Sequence, residues 1–272
     1  MSYESEKLTF TNNRGLSLDG VLEKPTGHIT AYALYAHCFT CSKEIAAAVK
    51  ISRALATHGI ATLRFDFSGL GRSEGDFADT TFSSNITDIH AAADFLRQNY
   101  QAPALLIGHS LGGAAVLGAA GDIEEVKAVA TIGAPSEPSH VQHLFTHELD
   151  KIIHHGKACI DLADRKVTIS KAFVDNIKSY DLKEKVSKLK KALLILHSPV
   201  DQVVGIENAQ ALYVAAEHPK SFISLDNADH LLGKTADAWY AAQVIAAWAT
   251  RYTGTTISKE AMPATIDSGV VV

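Results

Sequence analysis

Basic clusters, long apolar runs and cysteines are all scarce in this chain, and each scarcity removes a class of function. Across 272 residues, 25 Lys and Arg stand against 30 Asp and Glu, leaving a formal charge of −5. One lysine-rich stretch, Lys183, Lys185, Lys188, Lys190 and Lys191, is interleaved with Glu184 and apolar residues and reads as the solvated face of a helix. Without a basic face the chain has no footprint for nucleic acid, which is excluded as a partner. No apolar run approaches the roughly 20 residues that span a bilayer, so no membrane partner is expected. Met1 to Phe10 lack the basic start and apolar run of a secretory leader, which points to the cytoplasm. Three cysteines, an odd number in a chain this long, do not suggest a disulfide framework, and Cys159 reads as buried packing.

Apolar residues make up 47 % of the sequence, enough for one sizeable core. They fall in short runs that alternate with helical periods. Lys7 to Thr11 and Leu16 to Glu23 read as a hairpin turning at Asn12 to Gly15, and Ala31 to Ala36 reads as a short buried strand. A helix from about Glu44 to Thr57, a strand from Ala61 to Phe65, a glycine-rich loop from Asp66 to Asp76 and a helix from about Ser84 to Asn99 follow. Further strands are expected at Ala104 to Ile107, Val126 to Ile132, Ala192 to His197 and Ser221 to Leu225, with helices at Gly113 to Ala120, Glu207 to Ala215 and Asp237 to Tyr252. This alternation predicts an α/β fold with a mostly parallel central sheet flanked by helices. Such sheets bind ligands at the carboxyl ends of their strands.

Gly108-His109-Ser110-Leu111-Gly112 follows one of these strands directly and opens an Ala/Gly-rich helix. That is a G-x-S-x-G motif in its strand-turn-helix setting, in which a sharp turn exposes the serine hydroxyl to a base. A side chain at Gly108 or Gly112 would crowd the helix against the sheet. His37, Asp66, Ser110, Gly133, Asp201 and His230 all lie just beyond a strand's carboxyl end, and a base and an acid are among them. The chain order Ser110, Asp201, His230 predicts that His230 takes the serine proton and that Asp201 fixes its tautomer. An acyl-transfer site also needs donors for the oxyanion. The backbone N–H of Leu111 at the start of the nucleophile helix is one, and the N–H of Phe39, in the loop His37 to Lys43, is the other.

From about Lys7 to Tyr252 these features resemble an α/β-hydrolase. The resemblance rests on Gly108 to Gly113, the loop Phe65 to Ser73, Asp201-Gln202-Val203-Val204 and Asp229-His230. His37-Cys38-Phe39 is similar to the His-Gly-Phe oxyanion loop of esterases in this superfamily, the cinnamoyl and feruloyl esterases included. Cys38 stands where glycine is usual, and its Cβ is expected to narrow the acyl side of the site. Ala36 to Lys43 together with His197 to Asp201 resembles the hydrolase half of bacterial proteins in which such a domain is fused to an OsmC-like peroxide-reductase domain. By that resemblance the tail Thr255 to Val272, ending Gly269-Val270-Val271-Val272, is the stub of a linker.

Three other patterns carry weaker signals. Cys38-Phe39-Thr40-Cys41 is a C-x-x-C, read here as two small residues packing the oxyanion loop rather than as a redox pair. Gly69-Leu70-Gly71 lacks the third glycine spacing and the helix of a dinucleotide site, so it reads as a loop buttressing the site. His140, His143, His147 and His154 would share one stripe on a continuous helix, but Lys151 stands where H-E-x-x-H needs its second histidine, and a polar cap face is preferred to a metal site.

The sequence thus predicts an α/β-hydrolase fold with core segments 1–134 and 190–254, a small helical and hairpin cap over 135–189, and a tail over 255–272. Within the cap, Cys159 to Leu162 and Lys166 to Ile169 are expected to form a hairpin joined by Ala163-Asp164-Arg165. The expected activity is hydrolysis of small carboxylic esters with short acyl groups through an acyl-enzyme on Ser110, with neither cofactor nor metal. Thioesterase, peptidase, perhydrolase and feruloyl-type esterase readings share the same triad. A non-hydrolytic redox or binding role beside an OsmC-like domain is the alternative of another class. A second copy of the chain and an OsmC-like domain are the macromolecular partners left open.

Overall fold

The computed structural model describes residues 2–162 and 165–254. The tail read above as a linker stub, and Ala163 and Asp164 of the expected hairpin turn, lie outside the described residues. The strands are β1 (Tyr3–Thr11), β2 (Ser17–Pro25), β3 (Ala31–Ala36), β4 (Ile60–Phe65), β5 (Leu105–His109), β6 (Ala128–Ile132), β7 (Lys157–Leu162), β8 (Arg165–Ser170), β9 (Ala192–His197) and β10 (Lys220–Ser224). The helices are α1 (Ala46–Thr57), α2 (Phe82–Asn99), α3 (Leu111–Ala120), α4 (Leu149–His155), α5 (Lys171–Ser179), α6 (Leu182–Ser187), α7 (Glu207–Ala215) and α8 (Thr235–Ala249).

Eight strands form one sheet in the order β1-β2-β4-β3-β5-β6-β9-β10. The pairs β1–β2 and β2–β4 are antiparallel, and every other neighbouring pair is parallel. Strands β3, β4, β5, β6 and β9 are buried along their whole length, which is why they read as unbroken apolar runs rather than alternations. Their side chains divide between two layers. Leu34, Leu63, Leu106, Val129 and Leu193 pack with α2, α3 and the segment between β6 and β9, whereas Ala33, Leu105, Ala130, Ile132 and Leu194 pack with α1 and α8.

Boundaries moved where a cap or a ladder extended an element. Helix α2 starts at Phe82 rather than Ser84, because Thr81 is its N-cap and Ser84 is the reciprocal partner of a capping box. Strand β5 runs through Gly108 and His109, whose register against Thr131 and Ile132 of β6 is regular. Val126 is spent on a turn to Ile123, so β6 begins at Ala128.

Between β6 and β9 the chain forms a 3-10 helix from Pro138 to Glu148, then α4, the antiparallel β7–β8 hairpin, α5 and α6. A kink at Phe145 interrupts the first helix, so the four histidines do not share one stripe. Cys159 is exposed, not buried as expected, because alternation along β7 turns Ile160 inward and Cys159 outward. Phe145 and Phe173 of this segment approach Phe39 at 6.3 and 5.6 Å between ring centres, which welds the segment to the loop after β3. Among the described residues no helix is long and apolar enough to cross a membrane, and no group of three or more His, Cys, Asp or Glu is placed to hold a metal ion.

The glycine-rich loop after β4 is locked from below by a buried carboxylate. Asp88 of α2 accepts from Asn12 Nδ2 (2.7 Å), Ser68 N (2.9 Å) and Ser68 Oγ (3.0 Å), joining the first hairpin, the loop and the helix at one point. Replacing a buried acceptor of several donors leaves all of them unpaired. Asp88→Ala should therefore lower the unfolding free energy by about 3 kcal/mol, read as a shifted urea midpoint at unchanged slope. A shift of a few tenths would show that the loop is held elsewhere.

Candidate active site

Ser110 sits between β5 and α3 at φ 54° and ψ −126°, a left-handed backbone that a serine adopts only under constraint. The constraint is visible around it: Ser110 N–H donates to Ile132 C=O at 2.8 Å, and Gly113 N–H to Ser110 C=O at 2.8 Å. A Cβ on Gly108 would lie 2.4 Å from Gly112 O, and one on Gly112 would lie 2.3 Å from His37 O. The motif glycines thus bring α3 against the ends of β3 and β5, as expected. Ser110 is 8 % exposed, so its hydroxyl opens on a covered cavity rather than on bulk solvent.

The residues expected as base and acid are brought to it. His230 Nε2 lies 3.0 Å from Ser110 Oγ, and His230 Nδ1 lies 2.7 Å from Asp201 Oδ2. The other carboxylate oxygen of Asp201 accepts from the N–H groups of Val203 (2.8 Å) and Val204 (2.9 Å). Burial would push the Asp201 carboxyl up, but the His230 hydrogen bond and these two backbone donors outweigh it and hold it below the ordinary range. It is therefore an anion beside the imidazole. Asp226 and Asp229, the other acids nearby in sequence, are turned elsewhere: Asp229 accepts from Leu231 N and Gly233 N, and Asp226 from Ser224 Oγ. Gly133, at φ 54°, leaves the room, since a Cβ there would stand 3.3 Å from both Asp201 Oδ2 and His230 Nδ1.

Two buried histidines that sequence reasoning gave no role hold this pair. His109 Nε2 donates to His230 C=O at 2.6 Å and so fixes the loop carrying the base. His197 Nε2 donates to Val204 C=O at 2.7 Å and fixes the turn around Asp201. Burial, reinforced by the neighbouring His230, pushes His109 down to about 4, and burial lowers His197 as well. Both are neutral at pH 7, and no extra cation competes with His230 for Asp201.

The loop after β3 supplies the remaining wall. His37 is fully buried; its Nδ1 donates to Cys38 C=O at 2.9 Å and its Nε2 accepts from Phe67 N–H at 3.4 Å. In a trans peptide the N–H points opposite the carbonyl, so holding Cys38 C=O on His37 turns Phe39 N–H the other way. Among the described residues no hydrogen bond occupies Phe39 N–H or Leu111 N–H, and both residues line one narrow cleft with His37 and Gly112. The far end of the loop is anchored by a buried ion pair. Asp66 accepts from Lys43 N–H and Lys43 Nζ, each at 2.6 Å, and Arg64 donates to Lys43 C=O at 2.9 Å. Asp66 is thus a brace and not a group facing substrate.

Cys38 departs from the expectation of simple packing: it is joined to Cys41 by a disulfide. A turn closed by Cys41 N–H to Cys38 C=O at 3.1 Å brings the two Cα atoms to 5.3 Å, within the span a disulfide bridges. The C-x-x-C spacing was the signal; odd cysteine number was a poor guide. A cavity of about 340 Å³ is lined by Ser110, His230, the turn Cys38 to Cys41, Ile45, Val203 and Leu231, with Leu144 and Leu162 from the segment between β6 and β9.

Neutral His109 makes a stability prediction. Unfolded, it takes a proton near the ordinary histidine value of 6.5; folded, at about 4. Between these values the unfolded chain binds more protons, so stability rises with pH across the window and is lost as pH falls through it. The urea midpoint should drop between pH 7 and pH 5, and His109→Gln should show a shallower drop. An unchanged slope would mean that His109 is charged in the fold.

The arrangement was compared with known proteins. A family model described as serine aminopeptidase, S33, matches residues 42–158. No curated protein matches the chain. Among solved structures, the esterase domain of a Rhodothermus marinus protein is 50 % identical, with 92 % of this chain and 100 % of that one covered and a TM-score of 0.77. The Est1E protein of Butyrivibrio proteoclasticus with ferulic acid bound is 21 % identical over 91 % of this chain and 99 % of that one, with a TM-score of 0.74. Mouse alpha/beta hydrolase domain-containing protein 10 is 20 % identical over 90 % and 99 %, with a TM-score of 0.75, and these last two show the shared fold alone. The chain belongs to the α/β-hydrolase superfamily, alongside its esterases, and is a hydrolase.

Proposed function

We propose that the chain is a serine esterase acting on small carboxylic esters. The observation that carries the reading is the unbroken line from Asp201 through His230 to Ser110, with hydrogen-bond distances of 2.7 and 3.0 Å, at the wall of an apolar cavity. In this mechanism His230 Nε2 takes the hydroxyl proton as Ser110 Oγ attacks the ester carbonyl carbon. The oxygen that becomes negative is met by Phe39 N–H and Leu111 N–H, the second with the support of the α3 dipole. His230 then returns the proton to the leaving alcohol, and water repeats the sequence on the acyl-enzyme.

The aminopeptidase description of the matching family favours a second reading, in which an amide is cut beside a free α-amino group. That substrate carries a cation which must be paired once covered. The cavity lining contains no Asp or Glu among the described residues, and the matched stretch ends before Asp201 and His230. The ester reading therefore stands first.

Ser110→Ala should reduce ester hydrolysis below about one part in a thousand with an unchanged circular dichroism spectrum. Asp201→Asn should cost several orders of magnitude through the wrong imidazole tautomer. A merely few-fold loss would transfer the acid role to Asp226 or Asp229.

Cavity size sets the second expectation. About 340 Å³, bounded by Phe39, Leu144 and Leu162, is at the small end for ligand sites and must hold acyl and alcohol groups together. In a p-nitrophenyl ester series, acetyl to butyryl should be hydrolysed best. Leu144→Ala should shift the optimum towards longer chains; Cys38→Gly would open the disulfide as well and is a poorer probe. A wild-type preference for acyl chains of about ten carbons or more would contradict the assignment of this cavity to the acyl group.

A further inference from the structure

The bridge between Cys38 and Cys41 stands in the wall of the substrate cavity, and ester hydrolysis gives it no task. We propose that it is a second reactive site of this chain, a disulfide open to exchange with a small dithiol that enters through the cavity, and that its reduction releases the turn presenting Phe39 N–H. The effect on rate rests on the esterase reading; the exchange itself does not.

Three observations carry this. Both cysteines line the cavity, but unequally: Cys38 is 5 % exposed, whereas Cys41 is half-buried and is the more accessible of the two. The turn they close holds Thr40 at φ 55°, a left-handed backbone that a β-branched residue disfavours. The flanks of the turn are anchored independently, Cys38 C=O on His37 at 2.9 Å and Lys43 N–H on Asp66 at 2.6 Å, and between them the bridge is the covalent closure of the turn that carries Phe39 and Thr40. With the bridge open, the Cys41 N–H to Cys38 C=O hydrogen bond closes the turn without covalent help, and the peptide next to Phe39 gains room to rotate while the anchored flanks stay in place.

The exchange balances as follows. A dithiol thiolate attacks Cys41 Sγ, the disulfide bond breaks, and its electron pair leaves on Cys38 Sγ, which takes up a proton. The second thiolate of the dithiol attacks its own sulfur in the mixed disulfide, forming a cyclic disulfide and releasing the Cys41 thiolate. Two electrons pass from the dithiol to the bridge.

The folded chain is incubated with dithiothreitol, alkylated with iodoacetamide and weighed, and p-nitrophenyl acetate hydrolysis is followed in parallel. Cys159 alone should be alkylated at first, and all three cysteines after reduction. Hydrolysis should fall about tenfold or more, as misplacing one oxyanion donor implies, and recover on reoxidation. The double variant Cys38→Ser/Cys41→Ser should be slow and indifferent to dithiothreitol. Alkylation confined to Cys159 while the fold is intact overturns the exchange site. Three alkylated cysteines at an unchanged rate, or a double variant as fast as the oxidised chain, overturns the coupling. Ser110→Ala should show the same change in alkylation, so a chain that exchanges but hydrolyses no ester in either state separates failure of the esterase reading from failure of the exchange site.

Discussion

The close approach of the N-terminus of α3 to the ends of β3, β5 and β6 is the constraint on which the rest of the site depends. It holds Ser110 at a left-handed φ of 54° that no serine would choose. Three glycines permit it: a Cβ would reach 2.4 Å from Gly112 O at Gly108, 2.3 Å from His37 O at Gly112, and 2.6 Å from Ala134 Cβ at Gly113. Because Gly112 rests on His37 and Gly113 on Ala134, the same contact that lifts the serine also sets the distance to the oxyanion loop and to the end of β6. Ser110 and Leu111 N–H are consequently one rigid body, seated on the end of β3 from which the loop of Phe39 departs.

Around that body, buried polar groups are used to hold loops rather than to face the cavity. Lys43 and Asp66 anchor one end of the loop after β3, and His37 anchors the other. Asp88 fixes the glycine-rich loop, while His109 and His197 hold the loops of His230 and Asp201. His109 and His197 each keep one ring nitrogen without a hydrogen-bond partner, and burial holds both rings neutral, so neither adds a cation beside His230 and Asp201.

The segment between β6 and β9 converts this scaffold into a closed site. Its aromatic residues Phe145 and Phe173 pack on Phe39, so the residue that offers a candidate oxyanion donor also carries the contact between core and cover. His140 adds a bond to Val203 C=O at 3.0 Å, tying the same segment to the loop of Asp201. The segment between β6 and β9, the loop of Asp201 and the loop of Phe39 are thereby coupled through packing and a hydrogen bond.

What the sequence determined by itself is what depends on local pattern. Buried parallel strands need continuous apolar runs, so Ala31 to Ala36 and Ala192 to His197 were legible to the residue, and the glycine spacing around Ser110 specifies its turn without reference to anything distant. Asp201 and His230 were legible because a parallel sheet delivers the residues after its strands to one edge. The braces were not, because Lys43 with Asp66, Asn12 with Asp88 and His109 with His230 meet across 23, 76 and 121 positions and leave no period in the chain. Exposure of Cys159 was equally hidden, since a hairpin shows the same alternation whichever face is turned inward. The fate of Cys38 and Cys41 was decided by the tertiary structure: their spacing permits free thiols or a bridge, and the turn that sets their separation is held at its flanks by His37 and Asp66, which only the folded sheet brings to it.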